Sequence, residues 1–175
     1  MYIYFSVFAL MFSTVASLNF IGVTKPIGYF DPLGFAKNKK QCELVKLREA
    51  EIKHGRWGML SAVAIPITEL VTHKQAIHVL DDANALTLAV FTTLVGAGEF
   101  RSILLGWENP FTNSSNYFTM KENYLPGDLG FAVPRSFLDK DEEFMLNAEV
   151  NNGRLAMIGS LGMITQELVS NAPIF

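Results

Sequence analysis

The sequence has a single cysteine and few charged residues. One thiol, Cys42, cannot form an intramolecular disulfide and cannot supply a cysteine-based zinc site. Charged residues make up 18% of the 175 residues, and the net charge is −3 at pH 7. There is no basic surplus, and the lysines do not alternate with aromatic residues. The sequence therefore offers no surface for nucleic acid.

Hydrophobic residues are abundant instead. They make up 50% of the chain, and the mean hydropathy is +0.24. This composition is typical of a membrane protein with few spans rather than of a water-soluble globule. The chain length predicts one domain.

A repeated motif organises the chain. Residues 50–60 read AEIKHGRWGML and residues 148–158 read AEVNNGRLAMI, so Ala, Glu, Gly, Arg and Met recur 98 residues apart. A second motif precedes each copy, with DPLGFA at 31–36 and DLGFA at 128–132. Two motifs duplicated in the same order indicate two halves related by a pseudo-two-fold axis along the membrane normal, as in parallel repeats.

Residues 1–17 form an apolar run that ends in small residues. This pattern predicts a targeting segment that is cleaved near Ser17, although the run lacks the usual positive residues before it. A fourth membrane segment is the alternative. The remaining residues, 18–175, form the predicted domain.

Helical periodicity and connections rich in Gly and Pro predict the elements of this domain. We expect an all-α membrane protein with three transmembrane helices, at about residues 41–71, 83–105 and 140–169. Asp81 or Asp82 can cap the second helix, and Asp139 with Glu142 resembles a capping box for the third. Lysine and arginine are concentrated before the first span and recur in the second connection. The positive-inside rule therefore places the N-terminus on the cytoplasm-equivalent side and the C-terminus on the opposite side.

The charges of the repeat predict a helix crossing. Glu51 and His54 share a helix face, but Arg56 lies about 140° away and cannot pair well with Glu51. Because an ionised group at membrane depth needs a partner, we expect Glu51 to reach Arg154 on the third helix. By the same crossing, Glu149 reaches Arg56. Small residues leave room for close approach at Gly55, Gly58, Ser61, Ala62, Gly153, Ala156, Gly159 and Gly162.

A glutamate paired in this way keeps a spare oxygen lone pair. His54 follows Glu51 by one turn and Asn152 follows Glu149 by one turn, so each helix presents two Lewis-basic atoms. That arrangement suits axial ligation of a metal held in a large, flat, apolar cofactor. Two alternatives remain open, namely a purely structural ion pair and a membrane carrier that uses buried charges for transport.

The duplicated motifs resemble the first and third helices of the plastid light-harvesting superfamily of chlorophyll-binding proteins. The resemblance covers about residues 26–173, and the paired Glu-x-x-His-x-Arg and Glu-x-x-Asn-x-Arg motifs are highly specific for it. The lead-in at 30–34 and the short loops are more similar to the red-lineage branch, which contains chlorophyll a/c antennae and RedCAP-like relatives. The resemblance implies a three-helix membrane fold without enzymatic activity.

The resemblance also implies roles for individual residues. The magnesium of chlorophyll would be ligated by Glu51, His54, Glu149 and Asn152, and the crossed ion pairs would be completed by Arg56 and Arg154. Gln166, 14 residues past Asn152, matches a further chlorophyll-ligating glutamine. The middle helix departs from the family pattern, because only Glu99 is available there as a ligand and one pigment site has no counterpart.

The implied function is that of a light-harvesting antenna apoprotein. It would bind chlorophyll a, with chlorophyll c as an option, together with carotenoids (xanthophylls), and transfer excitation energy to a photosystem. A photoprotective or antenna-linking pigment protein is the alternative. The implied partners are the core of photosystem I or II, neighbouring antenna subunits and thylakoid lipids. The implied location is the plastid thylakoid membrane, with a stromal N-terminus and a lumenal C-terminus.

Overall fold

The computed structural model describes residues 22–24, 28–81, 83–109, 118–121, 124–130 and 142–174. Within these ranges the chain forms three α-helices, α1 (Gln41–Thr72), α2 (Ala85–Gly106) and α3 (Glu142–Ser170), and a short 3-10 helix at Ala76–His78. Each α-helix begins and ends within two residues of its predicted position. The predicted targeting segment at 1–17, Asp82 and Asp139 lie outside the described residues.

Helices α1 and α3 form the packed pair of the structure, and they meet at Gly55 and Gly153. A Cβ atom added to Gly153 would lie 2.9 Å from the Cα of Gly55, so the two backbones touch. One turn later, a Cβ added to Gly58 would lie 2.9 Å from the backbone nitrogen of Met157. Only residues without a side chain allow helices to approach this closely.

Two of the small residues predicted at the crossing do not contribute to it. A Cβ added to Gly159 or Gly162 would meet no neighbouring atom within 4 Å. The helix turns by about 100° per residue, so these glycines point roughly 120° and 180° away from Gly153. The prediction was wrong because it used composition without the rotation of the helix.

The cap of α2 also differs from the prediction. The N-cap residue is Asn84, whose Oδ1 accepts a hydrogen bond from the backbone nitrogen of Thr87 at 2.8 Å. An amide side chain at this position satisfies one of the free N–H groups of the first turn. Asp81 instead lies 2.9 Å from the Nδ1 of His78, so its carboxylate is already engaged.

Helices α1 and α3 end in the same way, 98 residues apart. His73 and Asn171 follow the two helices in the left-handed conformation, with φ of 54° and 49°. Their backbone nitrogens donate to the carbonyl oxygens of Glu69 and Glu167, at 2.8 and 2.9 Å. The duplication therefore extends from the crossing to the far ends of both helices.

Helix α2 is mostly exposed, and only Ser102 and Gly106 are buried among the residues of this helix. It is the one helix in the described residues that is long and apolar enough to cross a membrane by length and composition. Its large apolar side chains are mostly exposed, among them Leu86, Val90, Phe91, Leu94, Phe100 and Ile103. A continuous apolar surface of this kind marks contact with lipid or with hydrophobic ligands.

Candidate cofactor site at the helix crossing

The crossing of α1 and α3 contains both of the predicted ion pairs. The Nε of Arg56 donates to Oε1 of Glu149 at 2.6 Å. The Nε of Arg154 donates to Oε1 of Glu51 at 2.7 Å. Each helix thus supplies a cation for the carboxylate of the other.

A loop glycine covers each half of the crossing. The backbone nitrogen of Gly127 donates to Oε2 of Glu49 at 2.6 Å, and the backbone nitrogen of Gly22 donates to Oδ1 of Asn147. Glu49 and Asn147 are 98 residues apart, so the two acceptors belong to the repeat. Both glycines have positive φ, and a Cβ on Gly22 would lie 2.8 Å from Val150. The repeat therefore requires glycine at both loop positions.

In both lead-in motifs the aspartate side chain accepts hydrogen bonds from backbone nitrogens that follow it. Asp31 accepts hydrogen bonds from the backbone nitrogens of Phe35 and Ala36, both at 2.9 Å. These bonds, chiefly the one from Ala36, hold the pKa of the Asp31 carboxyl below its usual value. In the second copy, Asp128 accepts from the backbone nitrogen of Gly130 at 2.7 Å. In both turns the aspartate side chain closes the loop locally.

His54 is oriented by a hydrogen bond to the backbone of its own helix. Its Nδ1 lies 2.7 Å from the carbonyl oxygen of Ala50. Because a carbonyl can only accept a hydrogen bond, Nδ1 is the donor, and Nε2 is the ring nitrogen that a neutral imidazole would offer to a metal. The residue is exposed on the outer side of α1, and Asn152 is exposed at the equivalent position of α3. Both helices thus direct a Lewis-basic side chain away from the crossing.

The two paired glutamates differ in their remaining oxygen. Oε2 of Glu149 accepts no hydrogen bond from the part of the chain that the structure describes. Oε2 of Glu51 accepts a second charged hydrogen bond, from the NH1 group of Arg48 at 2.6 Å. The second carboxylate oxygen, which the sequence predicts to be available as a ligand, is therefore available in Glu149 and already hydrogen-bonded in Glu51.

Glu99 of α2 has a partner that the sequence did not reveal. The Nζ of Lys53 on α1 donates to Oε2 of Glu99 and to Oγ of Ser102, both at 2.7 Å. Lys53 also lies 3.7 Å from Oε1 of Glu49. Arg101 faces elsewhere, as expected, and its Nε donates to the carbonyl oxygen of Leu129. Periodicity could not find Lys53, because it does not orient α2 relative to α1.

Tyr124 completes this polar cluster between α1 and the second connection. Its hydroxyl lies 3.2 Å from Oε2 of Glu49 and donates to it. Burial, and then the negative charge of Glu49, raise the pKa of Tyr124. The hydroxyl therefore remains protonated and available as a donor at physiological pH.

A second pair of glutamates lies at the far ends of the crossed helices and was missed in the sequence. Glu69 and Glu167 are fully buried and again 98 residues apart. Oε2 of Glu69 accepts from the backbone nitrogen of Ile174 at 2.8 Å. Oε2 of Glu167 accepts from the backbone nitrogen of Ile77 at 3.1 Å. Each carboxylate holds the segment that follows the other helix, while the adjacent Gln166 is exposed.

Glu167→Ala should loosen the connection after α1. The substitution leaves the half-buried N–H of Ile77 without its acceptor, which costs about 1 kcal/mol, the lower end of the range for a fully buried group. We expect faster proteolytic cleavage within residues 73–81, measured by mass spectrometry of timed digests. Glu143→Ala, at an exposed glutamate of the same helix, is the control and should leave cleavage unchanged. Equal cleavage rates for the two variants would contradict this role of Glu167.

Comparison with known proteins places the site in context. A family profile described as chlorophyll A-B binding protein matches residues 18–168. The fucoxanthin-chlorophyll a-c binding protein of Isochrysis galbana is 37% identical over 154 residues, covering 82% of this chain and 74% of that protein. The light-harvesting complex stress-related protein 3.2 of Chlamydomonas reinhardtii is 32% identical over 173 residues, covering 90% of this chain and 66% of that protein.

A brown-algal protein is similar to the same extent. The fucoxanthin-chlorophyll a-c binding protein E of Macrocystis pyrifera is 32% identical over 168 residues, covering 87% of this chain and 75% of that protein. The chain therefore spans between 66% and 75% of the length of these three relatives.

Proposed function

Because the chain belongs to the chlorophyll A-B binding protein family, we propose that this light-harvesting, chlorophyll-binding protein passes excitation energy to a photosystem. The observation that carries the proposal is the pair of reciprocal Arg–Glu contacts at the crossing. They neutralise the partly exposed charges of the crossing and leave Lewis-basic atoms on the outer faces of both helices. A family of pigment proteins uses such atoms for binding, and no bond chemistry is required of the protein.

The proposed arrangement in the membrane follows from the repeat. Helices α1, α2 and α3 each span the bilayer, and the two halves are related by a pseudo-two-fold axis along the membrane normal. The distribution of basic residues favours a stromal N-terminus and a lumenal C-terminus in the thylakoid membrane. The chloroplast location of the similar proteins supports this membrane.

The side chains of the crossing fit the magnesium of chlorophyll. A bound chlorophyll would supply the excited state that is transferred, and the protein would supply one side-chain ligand to the magnesium of each pigment. Within the described residues, Nε2 of His54 and Oε2 of Glu149 take part in no hydrogen bond, while Glu51 and Asn152 occupy the equivalent positions of the other half. No group of three or more His, Cys, Asp or Glu that could hold a bare ion occurs within the described ranges.

Two further residues complete the proposed ligand set. Glu99 gives one oxygen to Lys53 and keeps Oε1 for a pigment beside α2. Gln166 is exposed near the end of α3, where its amide oxygen can act as an axial ligand. Carotenoids would lie in the grooves beside the crossed helices, and lipids and neighbouring antenna subunits would cover the apolar face of α2.

His54→Leu should remove about one chlorophyll and leave the fold intact. Leucine fits an apolar site but has no lone pair for magnesium, whereas the ion pairs at the crossing do not involve His54. The measurement is the chlorophyll-to-protein ratio of the reconstituted full chain, with helix content followed by circular dichroism.

The matched control is His78→Leu, since His78 lies in the connection after α1, away from the crossing, and its imidazole bonds to Asp81. The control should bind the wild-type amount of chlorophyll. A wild-type ratio in His54→Leu as well would show that His54 has only a structural role.

Photoprotective energy dissipation is a second candidate function. The similarity to a light-harvesting complex stress-related protein favours it, at 32% identity over most of the chain. The two functions differ in the fate of the excited state. A nanosecond-scale chlorophyll fluorescence lifetime in the purified complex would support antenna function, and strong shortening of that lifetime would support dissipation.

A further inference from the structure

Glu51 is held by two arginines. The Nε and NH2 groups of Arg154 on α3 lie 2.7 Å from Oε1 of Glu51. The NH1 group of Arg48, one turn earlier on α1, lies 2.6 Å from Oε2. Both oxygens of this carboxylate therefore accept charged hydrogen bonds, and the cluster of three side chains carries a net charge of about +1.

The second half of the repeat lacks the extra arginine. The position 98 residues after Arg48 is Leu146, which has no polar atom in its side chain. Glu149 accepts from Arg56 through Oε1, and its Oε2 has no donor within the described ranges. This cluster is a neutral pair with one carboxylate oxygen open.

We propose that Arg48 makes the two halves unequal as chlorophyll sites, a proposal that rests on the ligand roles given above. A carboxylate oxygen that already accepts a charged hydrogen bond is a weaker Lewis base toward magnesium. Arg48 therefore lowers the affinity of the Glu51 site and leaves the Glu149 site unaffected. Outer partners of metal ligands typically change metal affinity about 10–100-fold.

Arg48 also places a positive charge beside one pigment only. The Arg48 side chain is 20% exposed, so the charge is poorly screened by solvent. A fixed charge next to a chromophore shifts its absorption band. The two symmetry-related chlorophylls would consequently differ in transition energy as well as in affinity, and this difference gives excitation a preferred direction between the halves.

The repeat supplies a reciprocal test. Arg48→Leu gives the first half the residue of the second, and Leu146→Arg gives the second half the residue of the first. The full chain of each variant is reconstituted with chlorophyll a and carotenoid. Chlorophyll retention is then measured during a stepwise detergent titration, together with the red absorption band.

We expect one chlorophyll of the wild type to dissociate early. In Arg48→Leu its retention should rise about tenfold in the titration, with a shift of its red band. In Leu146→Arg a second chlorophyll should become early-dissociating. The early dissociation that Leu146→Arg introduces in the second half cannot result from a general loss of stability in the first half, because Leu146 and Arg48 lie on different helices.

Wild-type retention and an unshifted red band in both variants would overturn the proposal. If Arg48→Leu fails to fold, Leu146→Arg alone tests the proposal. An unchanged detergent titration of Leu146→Arg would then overturn the proposal. The double variant Glu51→Val/Arg154→Leu removes the ligand together with its ion-pair partner on α3 and should lose the early chlorophyll. Full chlorophyll content there would overturn the role of Glu51, while the His54→Leu result tests the proposed function separately.

Discussion

Arg56→Leu should prevent accumulation of the folded pigment complex. The substitution leaves Glu149 with a charge and no partner at the contact between α1 and α3, where Arg56 now donates at 2.6 Å. Breaking a buried ion pair costs about 3–5 kcal/mol. The side chains are 33% and 28% exposed in the isolated chain, so we expect the lower end of that range. This remains a large fraction of a typical stability of about 5–15 kcal/mol.

The yield of pigmented complex after reconstitution measures this effect. The double variant Arg56→Leu/Glu149→Leu is the control, because it removes both charges and leaves no unpaired carboxylate. It should recover a larger yield than the single variant, while lacking the pigment at Glu149. A normal yield and full pigment content in Arg56→Leu would show that the contact is not required.

Gly153→Ala should separate α1 from α3. The added Cβ would lie 2.9 Å from the Cα of Gly55, and a backbone atom cannot move aside as a flexible side chain can. Overpacking costs typically about 1–3 kcal/mol, and displacement of the helices also lengthens both crossed ion pairs. We expect the unfolding temperature of the reconstituted complex to fall by several degrees, followed by circular dichroism.

Gly159→Ala provides the matched control on the same helix. A Cβ at Gly159 meets no neighbouring atom within 4 Å, and alanine favours a helix over glycine by about 1 kcal/mol. The control should therefore leave stability unchanged or raise it, opposite in sign to Gly153→Ala. If both substitutions had the same effect, close packing at the crossing would not be a source of stability.

The crossing could be predicted because its evidence lies in the sequence. Helical rotation separates Arg56 from Glu51, and the repeat offers Arg154 as the remaining partner. The requirement that charges at membrane depth be paired then selects the crossed arrangement. The ligand roles of His54 and Asn152 came from the resemblance, and they remain predictions.

Other contacts could not be predicted, for different physical reasons. The bond between Lys53 and Glu99 depends on how α2 is rotated and placed against α1, and helical periodicity does not contain that information. The buried Glu69 and Glu167 could have been found from the sequence, unlike the Lys53–Glu99 bond. They are 98 residues apart, so extending the repeat beyond residues 60 and 158 would have included them. Asn84 is the N-cap of α2 instead of the predicted aspartate. The sequence could not select it because several residues that can cap a helix lie close together before α2.

The exchange of partners between the halves has a consequence for the order of folding. Arg56 can pair with Glu149 only after a further 93 residues have been synthesised. Glu69 can accept the hydrogen bond from Ile174 only after a further 105 residues. The first helix emerging from the ribosome therefore lacks the carboxylate partner of Arg56 until the last helix is synthesised. Folding of α1 is completed only after α3 has been made. In the interval the apolar surface at the crossing stays uncovered, and a partly folded chain with uncovered apolar surface is prone to aggregation.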